Sequence, residues 1–486
     1  MTIKDLKPAL VWSIFDEINQ VPRPSKKEAK IRKYLVAFAV KHNLEHKVDA
    51  IGNVAMWRPA APGFEKAKRV VLQAHMDMVA EKAAGSNHNF DTDPIKTIVE
   101  GEWLRADGTT LGADDGMGMA GALAAMIDPE LKAGPLEAFF TVDEETGLTG
   151  ASNVGEGMLT GDYLLNLDSE DDGVITIGCS GGVDTLASFD FKPQPAPKNL
   201  LYFHIKISKL LGGHSGTDIN AERANATRLI ARLLWEAAQQ IDFEVADINA
   251  GNLRNALAHT AEATIGIAEA DKEKLAVIFN TFAANVKDEY KHNEKDMLIE
   301  CESVDVPECV IEKRVALNVI NAAFVAPHGV QSMSLAVEGL VESSTNLASI
   351  KVHDGNRLEI VTSQRSDVES RKFDVAHRVE TVFKIAGADR VWHTDGYQGW
   401  TPNPESVLLK IAVDQWDKLY GVKPKIEAIH AGLECGLFLK VAPHMEMISY
   451  GPTLRDVHSP KERVHIPAVQ KFWDFTVAII KAVAQA

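Results

Sequence analysis

Short apolar segments that alternate with helical segments constrain the fold of this chain most strongly. Residues 69–73, 136–142 and 162–168 are apolar almost throughout, and a Gly- and Ala-rich segment near 116–127 has the character of a helix. Strands without polar alternation are typical of parallel sheets that helices cover on both faces. The pattern therefore predicts an α/β domain with a mixed, mostly parallel sheet. Such sheets place functional sites at the carboxyl ends of their strands.

A different pattern begins after the proline-rich segment 191–199. Strands of alternating polarity surround two predicted helices, at 218–238 and 271–290, which indicates an α+β domain with one covered sheet face. The last part of the chain returns to the first pattern, so the α+β domain is predicted to be an insertion. The predicted boundaries are 1–195 and 399–486 for the two parts of the α/β domain and 196–398 for the inserted domain.

Length and composition narrow the possible classes of function. A chain of 486 residues is too long for one ordinary core, and its net charge of −17 argues against nucleic acid or an anionic membrane as the partner. The four scattered cysteines form neither a metal-binding pair nor a disulfide framework. Neither a signal peptide nor an apolar stretch of roughly 18 residues is evident. We therefore expect a soluble protein in the cytoplasm.

Polar residues are clustered at the ends of the predicted strands, which is where a functional site is expected. In His75-Met76-Asp77 the two-residue period of a strand turns both polar side chains to one face. Each cluster has an ordinary alternative when taken alone, because aspartates often cap helices and adjacent glutamates often lie in solvated turns. Together the clusters supply candidate metal ligands, which are His75, Asp114, Glu145, Asp168 and His458.

The chemistry of these candidates favours hydrolysis. Two imidazoles and three carboxylates without a cysteine suit zinc, cobalt or manganese. Five ligands are too many for one open catalytic zinc ion, whereas two ions that share a bridging carboxylate use them all. Three negative charges against four positive charges leave one unit for a bound hydroxide, which is a hydrolytic nucleophile.

The order of the motifs resembles that of a known clan. HMD, GADDG, DEETG, NLDSED and HSP occur in the order found in dinuclear zinc aminopeptidases, carboxypeptidases and aminoacylases. The stretches GGHSG, LRNA and HAGLECGLF further resemble bacterial cytosolic aminoacyl-histidine dipeptidases, also called Xaa-His or carnosinase-like dipeptidases, over nearly the whole chain. This resemblance implies a metal-dependent hydrolase that cleaves dipeptides with a free N-terminus, including β-alanyl-histidine, and that uses two divalent ions.

The resemblance also implies roles for the residues of the predicted centre. Asp114 is expected to bridge the two ions, His75 and Asp168 to complete one site, and Glu145 and His458 to complete the other. Two further residues are expected to act without binding metal. Asp77 is predicted to hold the ring of His75, and Glu144 is predicted to be the general base.

For the inserted domain the resemblance implies a lid that mediates dimerisation, so a homodimer is expected. His214 is predicted to stabilise the tetrahedral oxyanion, and Asn255 and Arg365 to bind substrate. Gly432 and Glu434 match a signature near the substrate site. A surface loop for His214, an ordinary ion pair for Arg365 and a packing turn for Gly432 and Glu434 remain alternatives.

Two other functions remain open at this stage. An aminoacylase or carboxypeptidase of the same clan would use the same ligands and the same base. A non-catalytic binding protein would keep the fold, although the intact Glu144 argues against it. The residue after the predicted bridge, Asp115, is Asn in several relatives, and this extra acid is expected to change metal affinity but to leave activity intact.

Overall fold

The computed structural model describes residues 2–394 and 396–486, which form two compact units. The first unit comprises Met1–Cys179, Trp400–Ala428 and Leu433–Ala486, and the second comprises Ser180–Gly399 and Ile429–Gly432. The first crossing between units thus lies at Cys179, before the position 195 that the proline-rich segment suggested. Its cause is a strand at Gly181–Asp190, which pairs with Arg357–Ser366 of the second unit.

The helices occupy both units. In chain order they are α1 (Ala9–Asn19), α2 (Ala29–Lys41), α3 (Ala113–Ile127), α4 (Glu144–Gly147), α5 (Thr149–Ser152), α6 (Ala226–Ala238), α7 (Lys272–Glu289), α8 (Lys313–Val325), α9 (Glu369–Ile385), α10 (Val407–Tyr420), α11 (Glu434–Phe438) and α12 (Ile466–Gln485). Within the described ranges, none of the helices has both the length and the apolar character that crossing a membrane requires.

The strands are numbered in the same way. They are β1 (Glu45–Val48), β2 (Val54–Arg58), β3 (Val70–His75), β4 (Thr97–Glu100), β5 (Trp103–Ala106), β6 (Leu136–Thr141), β7 (Tyr163–Asn166), β8 (Val174–Cys179), β9 (Gly181–Asp190), β10 (Gln194–Pro195), β11 (Leu201–Ser208), β12 (Phe243–Gly251), β13 (Ala261–Ile267), β14 (Leu298–Val304), β15 (Cys309–Val310), β16 (Gly329–Met333), β17 (Val341–His353), β18 (Arg357–Ser366), β19 (Arg390–His393), β20 (Lys425–Ile429), β21 (Glu446–Ser449), β22 (Leu454–Arg455) and β23 (Arg463–His465).

The first unit contains an eight-stranded mixed sheet in the order β1-β2-β6-β3-β7-β21-β8-β20. Its centre is parallel, because β3 runs parallel to β6 and β7, and β21 runs parallel to β7. The strands β3, β6 and β7 are buried along their whole length, as their uninterrupted apolar sequences predicted. The prediction of an α/β fold with a mixed sheet is confirmed, with the parallel pairs at the centre of the sheet and antiparallel pairs on both sides of it.

The helix α3 packs tightly against this core through small residues. A side-chain Cβ added at Gly121 would lie 2.7 Å from the ring of Phe472 on α12, so glycine allows the two helices to approach closely. Gly112, with a positive φ of 67°, precedes the helix, and Asp114 and Asp115 lie at a kink with non-helical backbone angles before the regular helix continues. The many Gly and Ala residues of α3 are therefore explained by its close packing, and this helix carries Asp114 at its start.

The second unit is built on an antiparallel sheet in the order β14-β11-β13-β12-β17-β18-β9-β19, with β16 paired to β17. A buried apolar cluster between this sheet and α6, α7 and α8 forms its core. The predicted helix 271–290 matches α7, but the prediction of a helix from 218 was wrong. Asn225 caps α6 by accepting the backbone N–H of Arg228, so the helix begins only at Ala226.

The parallel register brings three loops of the first unit to one edge of the sheet. His75 at the end of β3 lies opposite Thr141 at the end of β6, and Gln73 lies opposite Asn166 at the end of β7. The loops after β6 and β7 carry the acidic clusters. Because parallel strands end at the same edge, side chains that are far apart in sequence meet there.

Candidate metal centre

The carboxylate of Asp114 lies between two imidazole rings. Its Oδ1 is 3.0 Å from Nε2 of His75, and its Oδ2 is 3.1 Å from Nε2 of His458. Each ring therefore contacts a different oxygen of one carboxylate. This is the arrangement that a carboxylate bridging two cations would have.

A further carboxylate accompanies each ring. Asp168 Oδ1 is 3.6 Å from Nε2 of His75, and Glu145 Oε2 is 2.9 Å from Nε2 of His458. The structure thus brings all five predicted ligands together, and it groups them in the pairs that the sequence analysis expected. The His75 and Asp168 pair and the His458 and Glu145 pair share Asp114.

Electrostatic attraction between the two rings and Asp114 raises the pKa values of the rings and lowers that of Asp114. Hydrogen bonds to Asp114 and Glu145 raise the pKa of His458 to about 11. Burial opposes the protonation of His75, but Asp168 and hydrogen bonds to its carboxylate neighbours raise the pKa of His75 well above the usual value. Burial likewise opposes ionisation of Asp114, and hydrogen bonds from both rings nevertheless lower its pKa. The cluster is therefore built to hold positive charge beside Asp114.

The donor set fits divalent cations. Ligand atoms of His75, Asp114 and Glu145 lie within 4.8 Å of one another. Glu145 Oε1 is buried and accepts no hydrogen bond from the described residues, which is costly for a carboxylate unless a cation satisfies it. Imidazole nitrogens and carboxylate oxygens without sulfur suit zinc, cobalt or manganese. Two such ions that share Asp114 would use all the clustered donors.

Asp77 contacts the other side of the His75 ring. Its Oδ1 lies 3.4 Å from Nδ1 of His75, whereas Nε2 of that ring faces Asp114. The same carboxylate accepts the backbone N–H groups of Glu144 at 3.0 Å and Glu145 at 3.4 Å. Asp77 thus connects the ring of His75 to the loop that carries the two glutamates.

Glu144 lies in the same cluster but makes none of the close contacts to the two imidazoles. Burial, together with the nearby charges of Asp168 and Glu434, raises the pKa of Glu144 well above its usual value. The loop turns sharply before it, because Asp143 adopts a positive φ of 51° and accepts hydrogen bonds from the hydroxyls of Thr146 and Thr149. The adjacent glutamates therefore differ, because Glu145 contacts His458 whereas Glu144 lies beside it with a raised pKa.

Glu462 is a supporting residue that the sequence analysis missed. Its buried carboxylate accepts the backbone N–H groups of Leu111 at 2.7 Å, Gly112 at 2.9 Å, Ala113 at 2.7 Å and Asp114 at 3.3 Å. These charge-assisted hydrogen bonds fix the turn that presents Asp114. The only sequence signal for Glu462 is its proximity to the HSP motif, because it lies four residues after His458.

Arg23 was also missed. It is buried and donates to the backbone carbonyls of Met76 at 3.3 Å and Asp77 at 2.6 Å, and to the carbonyl of Gly112. It therefore joins the His75 loop to the Asp114 turn. No local sequence pattern distinguishes an arginine that will be buried.

Glu434 belongs to a buried polar network in the first unit. Gln73 Nε2 donates to its carboxylate at 2.6 Å and Thr141 Oγ1 donates at 2.9 Å, and burial raises the pKa of Glu434 to about 7. The network lies on β3 and β6, beneath the loops that carry His75 and Glu144. Contact with a substrate stays a prediction for this residue.

Within the second unit, Asn255 and Arg365 line a cavity of about 430 Å³ together with Tyr397. Arg365 Nη1 donates to the hydroxyl of Tyr397 at 2.8 Å, and a Cβ added at Gly432 would lie 3.0 Å from the Tyr397 ring. Gly432 is therefore needed for close approach to this ring. The structure brings these predicted substrate residues to one place in the unit.

His214 has a defined tautomer in the second unit. Its Nδ1 accepts the backbone N–H groups of Gly216 at 3.3 Å and Thr217 at 3.2 Å, so the ring proton resides on Nε2. Burial, with the charge of Arg365, lowers the pKa of His214. The ring is thus a neutral hydrogen-bond donor, and its loop is joined to Asn255 by the bond from Ser215 N to the Asn255 carbonyl at 2.8 Å.

Comparison with known proteins identifies the family. The model of Peptidase family M20/M25/M40 matches residues 71–482, which is most of the chain. The chain belongs to this family. Membership agrees with the clustered histidines and carboxylates at the sheet edge.

Individual members of the M20 family are similar over nearly the full length. The chain is 36% identical over 481 residues to the cytosol non-specific dipeptidase of Escherichia coli (strain K12), with 99% of each chain covered. It matches the crystal structure of aminoacylhistidine dipeptidase from Vibrio alginolyticus with a TM-score of 0.93 and 40% identity, covering 99% of this chain and 98% of that one.

A more distant structure shares the fold alone. A tripeptidase from Staphylococcus aureus matches with a TM-score of 0.57 and 15% identity, covering 99% of this chain and 100% of that one.

The predicted resemblance to bacterial aminoacyl-histidine dipeptidases is confirmed by the dipeptidases from Escherichia coli and Vibrio alginolyticus. The prediction of an enzyme, a peptide-bond hydrolase of the dipeptidase type, is confirmed with it.

The turn that presents Asp114 gives a first testable prediction. Glu462→Gln leaves one acceptor oxygen for four backbone donors and turns an amide N–H₂ toward them, so we expect zinc affinity to fall by about 10- to 100-fold. A titration with a competing zinc chelator measures it. Glu102→Gln, at a side chain that is 76% exposed, is the matched control. Unchanged affinity in a correctly folded Glu462→Gln variant would show that the turn holds without this carboxylate.

Proposed function

We propose that this enzyme is a two-metal dipeptidase that hydrolyses dipeptides with an unsubstituted N-terminus, including Xaa-His substrates such as β-alanyl-histidine. The observation that carries the proposal is the position of Asp114, which offers one oxygen to the His75 side and one to the His458 side. The names of two relatives described above, a non-specific dipeptidase and an aminoacylhistidine dipeptidase, support the substrate class. We place the enzyme in the cytoplasm, as a homodimer formed through the second unit.

The residues present would hold two divalent ions, zinc in the first instance, with cobalt or manganese as alternatives. One ion would lie among His75, Asp168 and Asp114, and the other among His458, Glu145 and Asp114. Bound ions of this type activate a water molecule and polarise the scissile carbonyl.

Glu144 is proposed as the general base. Its carboxylate takes a proton from the attacking water and delivers it to the leaving amine, so that one water molecule is added across the peptide bond. A general base works best when its pKa lies near the operating pH, and burial beside Asp168 and Glu434 raises the pKa of Glu144 in that direction. Asp77 positions this base, because it accepts the backbone N–H of Glu144 while facing the ring of His75.

Residues of the second unit are proposed to bind the substrate. Arg365 is suited to the free carboxylate of a dipeptide, because a guanidinium grips a carboxylate with two parallel hydrogen bonds. Asn255 lines the same cavity. His214, with its proton on Nε2, is a neutral donor of the kind that stabilises a developing oxyanion. Gly432 allows Tyr397 to approach Arg365, and Glu434 is proposed to act beside the base.

A substrate panel tests the reaction class. Purified enzyme loaded with zinc, cobalt or manganese should hydrolyse Ala-His, β-alanyl-His and other unblocked dipeptides faster than N-acetylated amino acids or longer peptides, as measured by amine release. A preference for N-acylated amino acids would assign an aminoacylase, and a preference for longer peptides would assign a carboxypeptidase. Failure to cleave any dipeptide with any of the three metals would overturn the proposal.

The role of Glu144 predicts a loss of turnover without a loss of metal. Glu144→Ala should lower kcat by about 10²- to 10⁴-fold while the metal content per chain stays unchanged, because the variant lacks the proton acceptor but keeps the proposed ligands. Steady-state kinetics and elemental analysis measure the two quantities. Glu156→Ala, at an exposed position, controls for loss of a surface acid. Undiminished kcat would remove Glu144 as the base.

The proposed grip of Arg365 predicts a dependence on the substrate carboxylate. Arg365→Ala should lower kcat/KM for free dipeptides by about 10- to 100-fold, which is about 1.4–2.8 kcal/mol and lies in the range of hydrogen bonds to a charged group. C-terminally amidated dipeptides should lose much less. Arg357→Ala, at the far end of β18, is the matched control. An equal loss for acid and amide substrates would show that Arg365 does not bind the carboxylate.

A further inference from the structure

A second cluster of potential metal ligands lies in the second unit and shares no residue with the proposed catalytic centre. His377 and Glu380 are three residues apart on α9, which places them on neighbouring positions of one helix face, and His393 ends the strand β19. We propose that His377, Glu380 and His393 form a separate binding site for a divalent cation of the zinc type.

The distances between the three side chains suit such an ion. One ligand atom from each lies within 4.8 Å of the other two, and the rings of His377 and His393 are 5.9 Å apart at 65°. His393 Nε2 is 3.3 Å from Glu380 Oε2. Zinc bonds of roughly 2.0–2.2 Å place two tetrahedral ligands about 3.3–3.5 Å apart, so this pair already has the required spacing. The more exposed His377 would complete the site by a side-chain adjustment.

The tautomer of His393 is the decisive feature. Its Nδ1 lies 3.0 Å from the hydroxyl of Thr185, and that hydroxyl donates its own proton to Gln364 Oε1 at 2.7 Å. Thr185 can therefore only accept from His393, which places the ring proton on Nδ1. The lone pair of Nε2 then points toward Glu380.

A buried chain of hydrogen bonds fixes this direction. Gln364 Nε2 donates to the hydroxyls of Thr362 at 2.8 Å and Thr345 at 3.1 Å, so its oxygen must face Thr185. The Thr362 hydroxyl in turn donates to the carbonyl of Thr185 at 3.0 Å. The side chains of Thr185, Thr345, Thr362 and Gln364 are fully buried, so any arrangement that left one of their polar atoms without a hydrogen bond would be costly. The chain thus acts as the outer support that metal-binding histidines commonly have.

The remaining contacts leave the site available. Lys384 binds Glu380 through the other oxygen, Oε1, at 2.5 Å, so Oε2 stays directed at His393. A neutral Nε2 and a carboxylate oxygen repel unless a cation or a proton lies between them. A proton would give an ordinary ion pair of His393 and Glu380, but it would involve only two of the three converging side chains. A metal ion uses all three.

The chemistry of the donors selects the class of cation. Two imidazole nitrogens and one carboxylate oxygen are the set that three-ligand zinc sites use, with water in the open position. Calcium and magnesium prefer oxygen donors, which makes them poor occupants here. The ion would join α9 to β19 within the second unit.

Metal content of the full-length enzyme tests this site. After equilibration with micromolar free zinc and gel filtration, wild type should retain about one more zinc ion per chain than either His377→Ala or Glu380→Gln, because each variant keeps only two of the three ligands. Dipeptide hydrolysis by these variants should equal that of wild type. His444→Ala, which removes an exposed histidine of the first unit, is the matched control and should retain the wild-type zinc content.

Anomalous scattering near the zinc absorption edge gives the position of the ion. Crystals of the zinc-equilibrated full chain should show a peak among His377, Glu380 and His393 that is lost in His377→Ala. Equal zinc content in wild type and His377→Ala, or no peak at this position in wild type, would overturn the proposal and leave an ion pair of His393 and Glu380.

Discussion

The carboxylate of Asp114, held between the rings of His75 and His458, is the interaction on which the rest of the candidate centre depends. Its two oxygens divide the four other clustered donors into two pairs. A carboxylate can serve both groups only if its turn is rigid, and Glu462 supplies that rigidity by accepting successive backbone N–H groups at 111–114. The centre is therefore supported from the backbone as much as from side chains.

The two adjacent glutamates differ in their contacts. Glu145 contacts His458, whereas Glu144 remains free of the two rings and has a raised pKa because of burial and neighbouring carboxylates. Asp77 connects these glutamates to His75, because its carboxylate faces the ring of His75 and accepts the backbone N–H groups of Glu144 and Glu145. A change at Asp77 would consequently disturb both the proposed metal ligand His75 and the proposed base Glu144.

The proposed zinc-type site in the second unit follows a similar physical rule. In each place one ring nitrogen faces acidic oxygens while the other faces a supporting oxygen, which is Asp77 for His75 and Thr185 for His393. The supports differ in charge, however. A carboxylate behind His75 favours a basic, strongly ligating ring, whereas a hydroxyl behind His393 provides orientation without added charge, which suits an ion that binds more weakly.

The sequence by itself determined the class of the fold and the five clustered donors, because apolar strands and the polar residues that follow them are local patterns with a fixed period. The resemblance of motifs added the pairing of His75 with Asp168 and of Glu145 with His458. Only the tertiary structure decided the supports Glu462 and Arg23, the start of α6 at Ala226 and the convergence of His377, Glu380 and His393. Those features depend on contacts between segments far apart in the chain, and neither periodicity nor spacing records which distant segments will meet.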